Sequence, residues 1–153
     1  MKDMTAVVLL SKTFFSKHPK SGELTHFAEK VVTYKKKHTI RSNYDFWNKK
    51  ITKLKEVGGY LSIREWSEKP YSSTQNKIME KLFEHVGIQK LELTRKGNEW
   101  SAKVDGSDTS ISLLAENDGL EENDFKAWFA PLFDKEKTEC LELAIIHFTS
   151  GKY

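Results

Sequence analysis

Apolar residues recur along the chain with two different periods, and the changes of period mark out its elements. Thr5–Leu10 is a short β-rich run, and a segment rich in turn residues follows over positions 11–22. Leu24, Phe27, Ala28 and Val31 then fall at i, i+3, i+4 and i+7, which predicts a helix reaching about Tyr34. The same spacing at Tyr44, Trp47, Ile51 and Leu54 predicts a second helix, with Ser42 or Asn43 as N-cap, Lys49, Lys50 and Lys53 turned partly outward, and Gly58-Gly59 ending it. Tyr60–Trp66 alternates as a half-buried strand. Leu61 and Ile63 point inward, and Arg64 and Trp66 share the other face.

Further on, a turn is expected over positions 67–71. Ser73 can then cap a helix through Ile78, Leu82 and Val86, ended by Gly87. From Ile88 the period becomes two: Leu91 and Leu93, then Trp100, Ala102 and Val104, then Ile111 and Leu113 mark three strands of a meander. They are separated by the hairpin signals Lys96-Gly97-Asn98 and Asp105-Gly106. A polar corner over positions 115–119 leads into a short helix that buries Phe125, Trp128, Phe129 and Leu132 and stops near Pro131. Positions 140–149 read as a long apolar strand at the centre of a sheet. This pattern gives an α+β fold. One core is expected to hold Leu61, Ile63, Leu91, Leu93, Trp100, Val104, Ile111, Leu113, Ile145 and Phe148.

Composition adds bounds. A chain of 153 residues with 38% hydrophobic content is expected to form a single domain, residues 1–153, around one core. No apolar run approaches the roughly 20 residues that span a bilayer, and the run at positions 6–10 is too brief for a signal peptide. The lone Cys140 excludes an internal disulfide, and its apolar setting predicts a buried thiol in a reducing compartment, so a cytoplasmic location is expected. The five histidines show no close pairing of metal-ligand type, and neither a metal nor another cofactor is expected.

Charge singles out one stretch. Between Val31 and Lys55 stand eight Lys and Arg against one acid, Asp45, while the rest of the chain is net acidic. Such asymmetry concentrates a field that attracts phosphate or another anion. Within it, Lys36, His38, Thr39, Arg41 and Tyr44 combine cations, a hydroxyl and an aromatic ring. A helix starting just after Arg41 would also aim its free N–H groups toward the same place. Arg64 beside Trp66 offers a guanidinium next to an aromatic ring, which suits a base adjoining a phosphate.

Lys36-Lys37-His38-Thr39-Ile40-Arg41 resembles the K-x-x-T-I-R signature of the activating-signal-cointegrator homology (ASCH) domains. Leu61-Ser62-Ile63-Arg64-Glu65-Trp66 with Lys69-Pro70-Tyr71, the block Asn117-Asp118-Gly119-Leu120 with Asp124-Phe125 and Trp128-Phe129, and Ile146-His147-Phe148-Thr149 with Tyr153 resemble a bacterial and phage branch of that family, in order along nearly the whole chain. The resemblance implies a PUA-like fold, a small mixed β-barrel with peripheral helices, and a basic cleft for RNA or nucleotide-like ligands.

Some small bacterial members remove the acetyl group from acetylcytidine with a Lys, a Thr and a Glu. On this chain the resemblance places the Lys at Lys36 and the Thr at Thr39. The acid falls at Asp118, where Asp replaces Glu, or at Glu116 if the corner bends differently.

The chemistry of such a set can be stated from its parts. A hydroxyl attacks an amide once a base takes its proton, and a lysine whose pKa is lowered by neighbouring cations and burial can be that base. A carboxylic acid then protonates the leaving amine. Lys36 and Thr39 lie three apart, so a straight strand would place them on opposite faces, and the scheme requires a bend at Lys37-His38.

Two readings follow. The first is a binding module for RNA or a modified nucleotide, using Lys36, His38, Thr39, Arg41, Tyr44, Arg64, Trp66 and Asp118. The alternative is an amidohydrolase deacylating a modified nucleoside through Lys36, Thr39 and Asp118. The binding module is preferred, because each element it needs is present without a substitution.

Overall fold

The computed structural model describes residues 4–68 and 73–153. Two sheets carry the architecture. In the first, β1 (Thr5–Leu10) runs parallel to β3 (Tyr60–Trp66), which pairs antiparallel with β4 (Gln75–Leu82). The second is wholly antiparallel, in the order β2 (His38–Ser42), β8 (Cys140–His147), β5 (Gly87–Lys96), β6 (Glu99–Val104), β7 (Ser107–Thr109). Four α-helices accompany them among the described residues: α1 (Phe27–Val32), α2 (Tyr44–Glu56), α3 (Ile111–Asn117) and α4 (Glu122–Glu136). The fold is α+β. Its strands form two separate sheets and do not close into the barrel that the family resemblance implies.

One hydrophobic cluster joins the two sheets, drawing on Val8, Leu61 and Ile63 from one and Leu91, Leu93, Leu143 and Ile145 from the other. Helix α2 sits against β1 of the first sheet and β5 and β8 of the second, which explains why its Ile51 and Leu54 are fully buried. Its N-cap is Asn43, whose side-chain oxygen accepts from Phe46 N at 3.3 Å, as one of the two expected caps. Strand β8 lies between β2 and β5, the internal position that its apolar run predicts. Of the ten expected core residues, eight are buried, and Trp100 packs partly buried against them.

Leu113 is the exception. It is exposed, because the third meander strand is the short Ser107–Thr109 and the chain turns helical at Ile111. Ser110 caps that helix through its Oγ, which accepts from Leu113 N, and Ile111, Leu114 and Ala115 at helical spacing form the buried side.

The helix expected from Ser73 to Val86 is also replaced. Its middle is β4, laid on the open edge of β3, so tertiary pairing overrides the helix-forming run of Lys, Met, Glu and Leu. Helix α1 is shorter than its pattern, leaving Leu24 exposed and bridged to Thr13, while α4 continues through Pro131 to Glu136 because Phe129 and Phe133 anchor it on either side. Cys140 is exposed at the start of β8, since that strand's buried stretch begins at Leu141. The turn expected at positions 67–71 falls largely outside the described residues. No described helix is long and apolar enough to cross a membrane.

Candidate functional site

Lys36 stands just before β2 and is held from two directions. Tyr34 takes a left-handed conformation at φ 61°, and the N–H groups of Lys35 and Lys36 both donate to the Lys30 carbonyl, at 2.8 and 2.9 Å. This closes α1 and reverses the chain. Lys36 then pairs with Asp118 in an isolated antiparallel bridge, whereas the regular ladder with β8 begins only at His38. The chain therefore changes partner between Lys36 and His38, where the sequence argument needs a break, and Lys36 and Thr39 line the same cavity.

Asp118 is delivered by the corner after α3. Gly119, at φ 78°, permits the tight turn, and a Cβ there would lie 3.1 Å from the Lys36 Cβ. The Lys36 ammonium donates to the Asp118 main-chain oxygen at 2.7 Å and to its Oδ1 at 3.0 Å, and Lys30 Nζ donates to the Gly119 oxygen at 2.8 Å. Lysines at the C-terminal end of a helix also complement its dipole. Lys36 Nζ lies 4.1 Å from the centre of the Phe27 ring, a cation–π contact. On the far side of the carboxylate, His38 Nδ1 approaches Asp118 Oδ1 to 3.3 Å without the alignment of a hydrogen bond.

These groups are deeply buried: Lys36 is 2% exposed, His38 1%, Asp118 4% and Thr39 5%. Burial makes the Lys36 ammonium more acidic than an ordinary lysine, against the opposing pull of Asp118. Burial alone would raise Asp118, but the Lys36 charge and His38 overcome it and hold the carboxyl below its usual range. His38 is pushed down by burial and stays neutral at pH 7.

The cavity that Lys36, Thr39, Arg41 and Asp118 share has a volume of about 30 Å³. It has room for two or three waters at roughly 10–15 Å³ each. Arg41 is fixed at its edge by a guanidinium hydrogen bond to the Leu9 carbonyl, which ties β2 to β1. Apolar walls come from Leu10, Phe27, Trp128 and Phe129.

Other expected members lie elsewhere. Arg64 bonds Ser62 Oγ at 2.9 Å and Gln75 Oε1 at 3.1 Å on the first sheet, and does not line this cavity. Trp66 stands at the end of β3, paired in register with Gln75, and Tyr44 opens α2 with Lys90 Nζ 5.0 Å from its ring. Neither lines the cavity. His38 faces a different one. Glu116 is exposed and lines a neighbouring space of about 700 Å³, which leaves Asp118 as the acid beside Lys36.

The walls of the cavity were not among the expected site residues. Trp128, whose helical spacing marks it as core, stands at this cavity among Phe14, Phe15, His18 and Phe27, with ring centres 5.2 to 6.0 Å away. Its spacing in α4 carries no signal of the cavity, because core and cavity wall share one period. No known protein family, curated protein or solved structure matches this chain.

Proposed function

We propose that the chain is a binding module for RNA or a modified nucleotide, in which a small substituent of the ligand enters the cavity of Lys36, Thr39, Arg41 and Asp118. One observation carries the reading. Polar side chains from two distant segments converge on a space of about 30 Å³, the size of a few heavy atoms rather than of a base. The ring system then stays outside, and the cavity reads what projects from it. Burying a lysine and a carboxylate costs several kcal/mol in desolvation, and an apolar pair of similar volume would fill the space without that cost. The ASCH resemblance points the same way, and with it a PUA-like architecture in which the barrel is opened into two sheets. No cofactor is required.

The amidohydrolase is the second reading, favoured by the presence of Lys36, Thr39 and Asp118 on one cavity and by the lowered basicity of Lys36. It ranks second because Asp118 rests ionised, with no proton to give a leaving amine, and its carboxylate favours the ammonium form of Lys36.

A panel of acylated and otherwise modified nucleosides separates the two. The binding module predicts saturable binding without turnover, with Thr39→Val weakening it by no more than about 1.5 kcal/mol, the worth of one hydrogen bond. Deacylation by the wild type that disappears in Thr39→Val would install the hydrolase instead.

A further inference from the structure

Behind His38, on the side away from the Lys36 ammonium, lies a second cavity of about 180 Å³. Its floor is a hydrogen-bonded chain. His38 Nε2 is 2.5 Å from the Tyr153 hydroxyl, which also accepts from Asn117 Nδ2 at 2.9 Å. With Nδ1 facing the Asp118 carboxylate, neutral His38 carries its proton there, and its Nε2 accepts the phenolic proton. Around this floor stand Lys37, Lys152, Thr149 and His147, and among the described residues no Asp or Glu lines the space. The larger cavity beside α3, which Lys37 also borders, differs in that Glu116, Glu121 and Glu122 line it along with Lys30 and Lys35.

The two lysines are brought here by their backbone. Lys37 is fixed on both sides, its N–H donating to the Asn117 carbonyl at 2.7 Å and its carbonyl accepting from Phe148 N at 2.9 Å. The stem of Lys152 lies across Gly87, where a Cβ would approach its Cε to 3.2 Å, and its charge helps to depress His147. Among the described residues neither ammonium has a carboxylate within ion-pair distance. Thr149 Oγ1 accepts from Gly151 N at 3.2 Å, which leaves its own proton to donate.

The acceptors around the space are already engaged. Gln89 Nε2 holds the Tyr153 main-chain oxygen and Asp105, the Lys90 N–H holds Asp105 as well, and Lys36 holds Asp118. Two lysine ammonium groups without an ion-pair partner among the described residues, and a free hydroxyl donor, are the complement of a tetrahedral oxyanion.

We propose that this cavity binds a phosphate-type oxyanion between the Lys37 and Lys152 ammonium groups and the Thr149 hydroxyl. The site is independent of the substituent cavity. If both are used, they take the phosphate and the modified base of nucleotide material; if only this one is, the ligand is free phosphate.

Calorimetric titration with inorganic phosphate tests it, in a low-salt buffer free of other oxyanions. Saturable binding is expected in the wild type. In Lys37→Gln/Lys152→Gln, which keeps the stems and changes only exposed ends, affinity should fall at least about tenfold. Nucleoside 5′-monophosphate and the matching nucleoside form the second arm. A monophosphate that binds more tightly than either phosphate or nucleoside identifies the source as a nucleotide, whereas equal affinity for monophosphate and phosphate identifies free phosphate. Either outcome sustains the oxyanion site. Failure of phosphate to saturate below about 10 mM, or equal binding by the double variant, overturns it, and leaves the nucleoside result to be judged separately.

Discussion

Asp118 stands between the Lys36 ammonium and the His38 ring, so its removal strands a buried cation, whereas removal of the cation with it does not. Asp118→Asn is therefore expected to cost about 3–5 kcal/mol. Lys36→Met combined with Asp118→Leu should recover most of that loss. Urea unfolding of the single and double variants reads the difference; a double variant as unstable as the single one would show that Asp118 acts through other partners. Protons give a second handle on the same neighbourhood. Burial, with the nearby His38 and Lys152, pushes His147 down to about 3, and His38 is also depressed. The unfolded chain takes up protons near pH 6.5 that the native histidines refuse, so the stability present above that pH is lost on acidification, for His147 down to about pH 3. The slope should reach up to about 1.4 kcal/mol per pH unit for each histidine. Unfolding midpoints between pH 7 and 5 measure it, and His147→Gln should flatten the slope; a flat wild-type profile would contradict the assigned burial.

Elements were legible where pattern and tertiary context agree. Tyr60–Trp66, the β5–β6 hairpin, α2 and β8 follow from period and turn residues, because each buries the face that its spacing marks. Strand β4 was hidden because its residues favour a helix and only the open edge of β3 decides otherwise. At α3, Ile111 and Leu113 continue the period of two by coincidence, and the stronger signal was Ser110 followed by Ile111, Leu114 and Ala115. Lys36, Thr39, Arg41 and Asp118, singled out by residue type and resemblance, line one cavity, which their separation along the chain does not reveal. Arg64, Trp66 and Tyr44 were not separable from them, since nothing in a sequence says which sheet an aromatic or a guanidinium will face. The corner that carries Asp118 makes its own prediction. Gly119→Ala forces a Cβ to φ 78° and against the Lys36 stem. It should cost about 1–3 kcal/mol and weaken ligand binding together with stability. An unchanged thermal midpoint would mean that the corner is looser than its geometry.

At the scale of the molecule, the basic window of the sequence is divided. Lys36 is drawn into the interior, Lys37 borders two cavities, and Lys35 and the α2 lysines Lys49, Lys53 and Lys55 stay exposed. The fold keeps most of that charge at the surface and draws one cation inward. The proposed recognition of a projecting substituent rests on the small cavity beside that buried ion pair. The most direct measurement is a pair of calorimetric titrations with cytidine and N4-acetylcytidine, repeated on Thr39→Ile, which keeps the β-branched shape of the strand residue while losing the hydroxyl and adding bulk to the cavity. The wild type should prefer the acetylated nucleoside by at least about tenfold, equivalent to about 1.4 kcal/mol, and the variant should bind both alike. Equal wild-type affinity for the two nucleosides, or a preference that survives in Thr39→Ile, would contradict the assignment of the cavity.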